Sequence, residues 1–130
     1  LTQLSQQLGI AKGSISPLLH TLRDRGYLTL DDQDHHYRIG RMAYLTDFKT
    51  IADAEVGKLI GVELLVVNAL RFRPHPSHFN VGEALALIAR VAPRRALITH
   101  VSHEIGRHAA TTALLPRGVE LAYDGLEIII

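Results

Sequence analysis

The sequence contains no cysteine and no tryptophan, and aromatic residues make up only 5% of its 130 residues. The absence of cysteine excludes a disulfide scaffold and thiolate metal sites, and it is compatible with a cytoplasmic protein. No apolar run approaches the roughly 20 residues that a membrane-spanning helix needs. No charged start followed by an apolar segment indicates a signal peptide. We therefore expect a cytoplasmic protein that does not associate with a membrane.

Neither sign of charge is in excess, with 14 Lys and Arg against 13 Asp and Glu, so the net charge indicates no particular partner. Apolar residues make up 47% of the chain, enough for one ordinary domain or two very small ones. The chain begins with Leu rather than Met, and we expect it to be a fragment of something longer. Histidine is the unusual component, because five of the eight lie in one C-terminal window: His75, His78, His100, His103 and His108.

Residues 1–41 are predicted to form two helices followed by a hairpin. Apolar residues recur at helical spacing in LTQLSQQLGI, a helix that Gly9 is expected to end in a left-handed conformation. SISPLLHTLRDRGYL carries a second apolar stripe at helical spacing. Since proline is tolerated in the first turn of a helix, Pro17 predicts that this helix starts at Gly13 or Ser14. YLTL and HYRIG alternate like the two strands of a hairpin.

The stretch LTQLSQQLGIAKGSISPLLHTLRDRGYL, followed by HYRIG, resembles the DNA-binding domain of IclR-type transcription regulators. The resemblance implies a winged helix-turn-helix segment over 1–41, with duplex DNA as its partner and the second helix in the major groove. It places four residues at base-reading positions: Lys12, Gly13, Ser14 and Ser16. It also implies phosphate contacts from three arginines: Arg23, Arg25 and Arg38. The acidic residues of the predicted wing turn would repel phosphates, and a small helical module that only packs is the alternative.

From Met42 onwards strands alternate with helices, which predicts an α/β domain over 42–130. Strands are predicted at MAYLTD, VELLVVNAL and RALIT, and the continuous apolar run of VELLVVNAL indicates a strand covered on both faces. Helices are predicted at DAEVGKLIG, VGEALALIARV and HEIGRHAATTALL, and RFRPHPSHFN is expected to be a polar loop. VELAYDGLEIII is predicted to form two strands around a turn at Asp124 and Gly125.

Three polar residues follow strand ends or open a loop in this second half: Asp47, His78 and His100. Residues at the carboxyl ends of strands in an α/β sheet converge on one edge, where ligands usually bind. A carboxylate and an imidazole at such an edge suit Zn²⁺ or Mn²⁺. The alternative for Asp47 is a turn or cap residue that precedes the next helix.

The stretches LTDFKTI, LRFRPHPSHFNVGEAL, ITHVSHEIGRH and GVELAYDGLEI resemble, in that order, the C-terminal half of metallo-β-lactamase-fold hydrolases. The similarity is greatest to their phosphodiesterase branch. The resemblance implies half of an αββα sandwich with a mixed sheet. It identifies Asp47 as a carboxylate that bridges two metals and His100 as the last histidine ligand. It implies that His78 is the catalytic residue that stabilises or protonates the leaving oxygen, and that His103 supports the ligands from behind.

The same family holds its first metal mainly with an HxHxDH motif, which this sequence lacks. The only histidines before the candidate aspartate are His20, His35 and His36, and neighbouring side chains on a strand point to opposite faces. We therefore expect no tightly held cofactor, and weakly bound Zn²⁺ or Mn²⁺ if the residual site is occupied. Arg71 and Arg73 would attract a phosphate or lie in a solvated loop. We expect His75 and His108 to be surface residues, and Asp124 to be a turn residue before Gly125.

Half of a sandwich would leave one apolar face of VELLVV without its partner sheet, at a cost of about 25 cal/mol per Å². We expect that face to be covered by self-association, by a partner chain or by the winged-helix segment, or the chain to misfold. Three functions stay open at this stage. The first is a DNA-binding module joined to a catalytically incomplete hydrolase segment. The second is a fragment of a metal-dependent phosphodiesterase that needs its other half, and the third is an inert chimera.

Overall fold

The structure, a computed structural model, describes residues 6, 9, 11–25, 28–30 and 37–129 of the chain. Within these ranges, the side chains of Lys12, Thr29 and residues 37–39 lie outside the described part. The chain divides into two compact units, Leu1–Gly40 and Arg41–Ile130. Among the described residues, no helix has the length and apolar character needed to cross a bilayer.

The first unit contains helix α1 (Lys12–Asp24) and an antiparallel pair of short strands, β1 (Leu28–Leu30) and β2 (Tyr37–Ile39). The predicted strands of the hairpin are therefore confirmed. Gly9 has the left-handed conformation expected of it, with φ +64. Most of the predicted first helix and the wing turn over 31–36 lie outside the described residues. A complete winged helix-turn-helix stays a prediction.

Helix α1 begins one or two residues earlier than predicted, so Pro17 lies inside the helix rather than in its first turn. The carbonyl of Ala11 accepts hydrogen bonds from the N–H groups of Ser14 (2.9 Å) and Ile15 (3.2 Å), and these bonds start the helix at Lys12. The prediction treated the cost of an interior proline as decisive. Burial of the Ile15 side chain, which is 1% exposed, favours the longer helix.

The second unit is built on one parallel sheet with the strand order β3-β4-β5-β6. Its strands are β3 (Met42–Leu45), β4 (Leu64–Asn68), β5 (Arg95–Thr99) and β6 (Val119–Leu121). They are connected by α2 (Asp53–Gly57), α3 (Val81–Val91), a 3₁₀ turn (His103–Ile105) and α4 (His108–Thr112). The predicted mixed sheet was wrong, because every described pairing in this sheet is parallel. Helices and loops cross over between successive strands, which keeps the strand directions the same.

Helix α3 has the bounds that the sequence predicted, and its ends explain why. Asn80 and Glu83 form a capping box: Asn80 Oδ1 accepts from the Glu83 N–H and the Glu83 carboxylate accepts from the Asn80 N–H, each at 2.8 Å. Ala92 ends the helix in a left-handed conformation with φ 51. The apolar side of the helix is buried, and α3 packs against β4.

Two predictions for the C-terminal stretch were wrong. HEIGRHAATTALL is not one helix, because Gly106 adopts φ +94 and separates the 3₁₀ turn from α4. VELAYDGLEIII contributes only β6 to the described sheet. The predicted turn at Asp124 is present, with the Leu126 N–H donating to the Tyr123 carbonyl at 3.1 Å. After this turn Leu126 and Ile128 pack onto the sheet, which buries apolar side chains that strand pairing would not have covered.

The two faces of the sheet are covered differently. Leu65 and Val67 lie on the face towards α3 and are fully buried. On the opposite face Leu64 and Val66 belong to a buried cluster, against which the segment after the turn packs. An open cleft of about 580 Å³ remains over this second face and extends to His100. The C-terminal segment thus covers part of the face for which the sequence predicted a partner, and cover for the rest stays a prediction.

The loop between β4 and α3 is fixed to the 3₁₀ turn by two ion pairs. Glu104 accepts hydrogen bonds from Arg71 Nη1 at 2.7 Å and from Arg73 Nη2 at 2.5 Å. These hydrogen bonds hold the pKa of the Glu104 carboxyl below its ordinary value, and the bond from Arg73 has the larger effect. Both arginines therefore have a carboxylate partner. The Arg73 side chain is 79% exposed, in agreement with the expected solvated loop, whereas that of Arg71 is 24% exposed.

We expect Glu104→Gln to destabilise the fold at neutral pH, with an effect that disappears in acid. Because the folded-state pKa of Glu104 is lowered, its contribution to the free energy of unfolding is present above the ordinary glutamate pKa. The contribution is lost as the pH falls below that ordinary value and through the lowered one. Chemical denaturation of wild type and variant between neutral pH and about pH 3 measures it.

The control for this experiment is Glu55→Gln, which removes an exposed carboxylate paired with Lys58 in the same turn. That change should have a small effect, since surface pairs within one helix are worth about 0.2–0.5 kcal/mol. A difference between wild type and Glu104→Gln that stays constant over the whole pH range would contradict the assignment.

Candidate metal centre

Asp47, His78 and His100 lie together at the carboxyl edge of the parallel sheet. Each offers one ligand atom, and the three atoms all lie within 4.8 Å of one another. His78 Nδ1 is 3.1 Å and His100 Nε2 is 3.8 Å from Asp47 Oδ1. The structure therefore brings together the three residues that the sequence predicted at this edge, although they are far apart in the chain. The roles of the three residues stay predictions.

The parallel sheet explains why these residues meet. Asp47 comes two residues after β3 and His100 directly follows β5, and parallel strands end at the same edge of a sheet. His78 comes from the loop that follows β4. The Phe79 N–H donates to the Phe48 carbonyl at 3.2 Å, and this bond holds His78 beside Asp47.

Two of the three site residues have a backbone conformation that is rare outside glycine. Asp47 has φ 60 and His100 has φ 56, both in the left-handed region. A non-glycine residue held there costs on the order of 1–3 kcal/mol, and such residues cluster at functional sites. The third example among the described residues is Ala92, which has the ordinary role of ending a helix. Two strained residues in contact with each other favour a functional site at this edge.

The three side chains differ in their exposure to solvent. The side chain of Asp47 is 65% exposed, that of His100 is 39% exposed and that of His78 only 20%. His78 Nδ1 is buried and makes no hydrogen bond among the described residues, although Asp47 Oδ1 lies 3.1 Å away. A buried polar atom without a partner is unfavourable by about 1–3 kcal/mol. A ligand bound at this edge would supply the missing partner.

His75 packs against the site from the loop side. Its ring stacks on that of His78, with ring centroids 4.9 Å apart and planes 10° apart. Its Nδ1 lies 3.3 Å from the donating Ser77 N–H. The pKa of His75 is lowered mainly by burial and to a smaller extent by the nearby charges of His78 and Arg71. The lowered pKa favours the neutral ring. The side chain of His75 is half-buried and its ring packs on that of His78, and a surface position for His75 stays a prediction.

The other histidines of the C-terminal window do not join this group. His103 lies in the 3₁₀ turn and is exposed, and its supporting role stays a prediction. His108 is exposed as expected, with Nε2 2.9 Å from the Leu121 carbonyl and its ring edge against Tyr123. Within the described residues, the only cluster with ligand geometry is therefore the one at Asp47.

The candidate DNA contacts lie along α1 and β2 of the first unit. Gly13 and Ser14 are exposed and Ser16 is half-buried at the start of α1. Arg23 and Arg25 are exposed at its end. The guanidinium of Arg23 donates to the neighbouring carboxylate of Asp24 at 3.2 Å, which partly neutralises it. The side chains of two further candidates lie outside the described residues: Lys12 and Arg38.

The sequence interpretation missed Asn68, which ends β4 between the strands that carry Asp47 and His100. The residue is 0% exposed. Its side-chain amide accepts from the Phe48 N–H at 3.4 Å and donates to the Phe48 carbonyl at 3.0 Å. One feature of the sequence could have identified Asn68. It is a polar residue that directly follows the apolar run VELLVV, in a strand predicted to be covered on both faces.

Two family models match this chain, and one of them extends across the boundary between the two units. The model of the beta-lactamase superfamily domain matches residues 28–101, which is more than half of the chain. The model of the IclR helix-turn-helix domain matches residues 1–32. The two matches overlap in β1.

The chain is also similar to two individual proteins. An octanoyltransferase of Porphyromonas gingivalis (strain ATCC BAA-308 / W83) is 40% identical over 95 residues, which are 72% of this chain and 19% of that protein. The crystal structure of a new diphosphatase from the PhnP family is also 40% identical, with a TM-score of 0.65 over 69% of this chain and 35% of that one. The chain thus spans about a fifth and about a third of these two proteins. With the family match, the shared fold and the residues at the sheet edge in agreement, the chain belongs to the beta-lactamase superfamily.

Proposed function

We propose that the second unit is the carboxyl-terminal part of a metal-dependent phosphodiesterase. The convergence of the ligand atoms of Asp47, His78 and His100 within 4.8 Å carries this proposal. The relative described as a diphosphatase, 40% identical to this chain, supports it. The octanoyltransferase name is not carried over, because the chain covers only 19% of that protein and the site holds metal-ligand side chains.

Asp47 and His100 fit the ligands of a Zn²⁺ or Mn²⁺ ion. They offer a carboxylate oxygen and an imidazole nitrogen, which both metals accept. With metal–ligand distances of about 2.0–2.1 Å, two ligands of one zinc ion lie at most about 4.2 Å apart. The observed 3.8 Å between His100 Nε2 and Asp47 Oδ1 is within that limit. The strained backbone of both residues holds their side chains at this separation.

His78 is assigned to the phosphate of the substrate. Metal ions bound at such a site supply an activated water and a clamp for the phosphate oxygens. The buried Nδ1 of His78 lacks a hydrogen-bond partner among the described residues, so a proton held there is available to a phosphate oxygen or to the leaving oxygen. Stacking on His75 fixes the plane of the ring, which keeps Nδ1 beside Asp47 at the edge of the site.

The second unit is proposed to be catalytically incomplete by itself. Two ligands are too few to hold a pair of ions, and the HxHxDH motif of the resembling hydrolases does not occur in the 130 residues. The remaining ligands would come from another polypeptide segment, as the second sheet of an αββα sandwich. We place that segment, contributed by a partner chain, at the cleft of about 580 Å³ beside Leu64 and Val66, which extends to His100.

We expect the protein to bind Mn²⁺ weakly, and Asp47→Asn to weaken binding about tenfold or more, equivalent to about 1.4 kcal/mol. The substitution keeps the size of the side chain and removes the charge that a metal requires. Titration with detection of free Mn²⁺ by electron paramagnetic resonance measures the affinity. The matched control is Asp53→Asn, which removes a carboxylate paired with Arg90 away from the site and should bind like wild type.

Two results of this experiment would count against the proposal. Equal Mn²⁺ affinity of wild type and Asp47→Asn would show that the metal is bound elsewhere. Mn²⁺-dependent turnover of a bis-aryl phosphate ester by this chain alone, lost in Asp47→Asn, would show that the site is complete and that the ligands were miscounted.

We further propose that the first unit binds duplex DNA. The match of residues 1–32 to the IclR helix-turn-helix model favours this function. In winged helix-turn-helix proteins the N-terminal residues of the second helix contact base edges, and Gly13 and Ser14 are exposed at that end of α1. A cytoplasmic location is proposed with it, because a DNA-binding protein needs access to DNA and the lack of cysteine is compatible with the cytoplasm.

We expect the protein to retard duplex DNA in a mobility-shift assay, with an affinity that falls steeply as salt is raised. Arg25→Ala should reduce the slope of log affinity against log salt by about 1, which is the loss of one phosphate contact. Arg90→Ala, which removes an arginine from the second unit, should leave the slope unchanged. No retardation at low salt, or equal slopes for the two variants, would contradict DNA binding through α1. An inert chimera would follow only if DNA and metal binding both failed.

A further inference from the structure

We propose that Asn68 is a positioning residue that fixes Asp47 relative to His78 and His100. The inference rests on the proposed function for the metal that the site would hold, while the positioning itself rests on contacts within this chain. The described residues contain two buried polar side chains, Asn68 and Thr111, and of these Asn68 lies at the edge where the site is. A buried amide needs partners, and those of Asn68 belong to the site loop.

Both ends of the Asn68 side chain bind the backbone of one residue, Phe48. Oδ1 accepts from the Phe48 N–H and Nδ2 donates to the Phe48 carbonyl. The first of these bonds fixes the peptide that joins Asp47 to Phe48. Asp47 is held at φ 60 directly before that peptide. A loop residue in this conformation relaxes unless its neighbours determine it, and the contact with Asn68 supplies that restraint.

The same contact extends to His78. The Phe48 carbonyl accepts a second hydrogen bond, from the Phe79 N–H at 3.2 Å, so one oxygen atom joins Asn68 to the residue after His78. The rings of Phe48 and Phe79 pack with centroids 4.8 Å apart. A movement of the Phe48 peptide would therefore shift Asp47 and His78 together.

The contact to His100 runs through the sheet. Asn68 pairs in register with Thr99 of β5, and the Ala69 N–H donates to the Thr99 carbonyl at 3.0 Å. His100 is the next residue. Asn68 thus lies between the backbone segments that carry the site residues. Its main chain pairs with the strand that precedes His100, and its side chain binds Phe48, which follows Asp47.

A purely structural role would be better filled by an apolar residue. Asn68 continues an apolar run whose members are all buried, and leucine of similar size would avoid the cost of burying an amide. Leucine would leave the N–H and the carbonyl of Phe48 without their side-chain partner. We therefore expect Asn68→Leu to change the geometry of the site more than the stability of the fold.

The test compares Asn68→Leu with Thr111→Val, which removes a buried hydrogen bond to the Ile105 carbonyl away from the site. Loss of a residue that orients metal ligands typically weakens metal affinity 10–100-fold. We expect Mn²⁺ affinity to fall by about that factor in Asn68→Leu and to stay at the wild-type value in Thr111→Val. If the wild-type protein binds Mn²⁺, an Asn68→Leu protein that binds it equally well would overturn the inference. If Asn68→Leu does not fold, Asn68→Ser takes its place, because serine is too short to reach both groups of Phe48.

Amide hydrogen exchange followed by NMR gives a second readout, which requires no metal. In the wild-type protein the Phe48 N–H should be protected, although it lies outside any helix or strand, and the protection should be lost in the Asn68 variant but kept in Thr111→Val. Exchange of the wild-type Phe48 N–H at the rate of an unstructured peptide would overturn the inference. This readout does not depend on metal and therefore separates the two proposals. If the Phe48 N–H is protected in the wild-type protein but that protein does not bind Mn²⁺, the proposed function is contradicted and the positioning role of Asn68 is not.

Discussion

Parallel pairing of β3, β4 and β5 places the carboxyl ends of three strands side by side, and the site depends on that alignment. The strained conformations of Asp47 and His100 cost on the order of 1–3 kcal/mol each. Burial of the strands can offset this cost, since a fully buried Val or Ile side chain such as Val67 or Ile98 contributes about 1.5–3 kcal/mol. A rigid, apolar sheet therefore holds two polar residues in conformations that a free loop would leave.

The elements with strong local patterns were predictable from the sequence, and those fixed by distant contacts were not. VGEALALIARV has an amphipathic repeat, a capping box and a terminating Pro93, so the bounds of α3 agree with the prediction. His100 was identified because it directly follows a strand. The hydrogen bonds between Asn68 and Phe48 join residues 20 positions apart in the chain, and no spacing rule connects them. The break at Gly106 and the parallel direction of β6 were missed because an apolar stripe specifies neither.

The two family matches overlap within the first unit, and the two units follow one another in the chain without a linker. The IclR match ends at residue 32 and the superfamily match begins at residue 28, so both include β1. Strand β2 ends at Ile39 and β3 begins at Met42. A junction with only two residues between strands gives no room for a flexible tether of the kind that usually joins independent domains. The matches to the helix-turn-helix model and to the superfamily model thus fall within one short chain.

The account depends on the number of metal ligands at one edge of the sheet, and anomalous diffraction from a crystal grown with Mn²⁺ counts them directly. We predict density for an ion bound by Asp47 and His100, whose remaining ligands are water or belong to another polypeptide. Two well-ordered ions, each fully ligated by side chains of a single copy of this chain, would contradict the account.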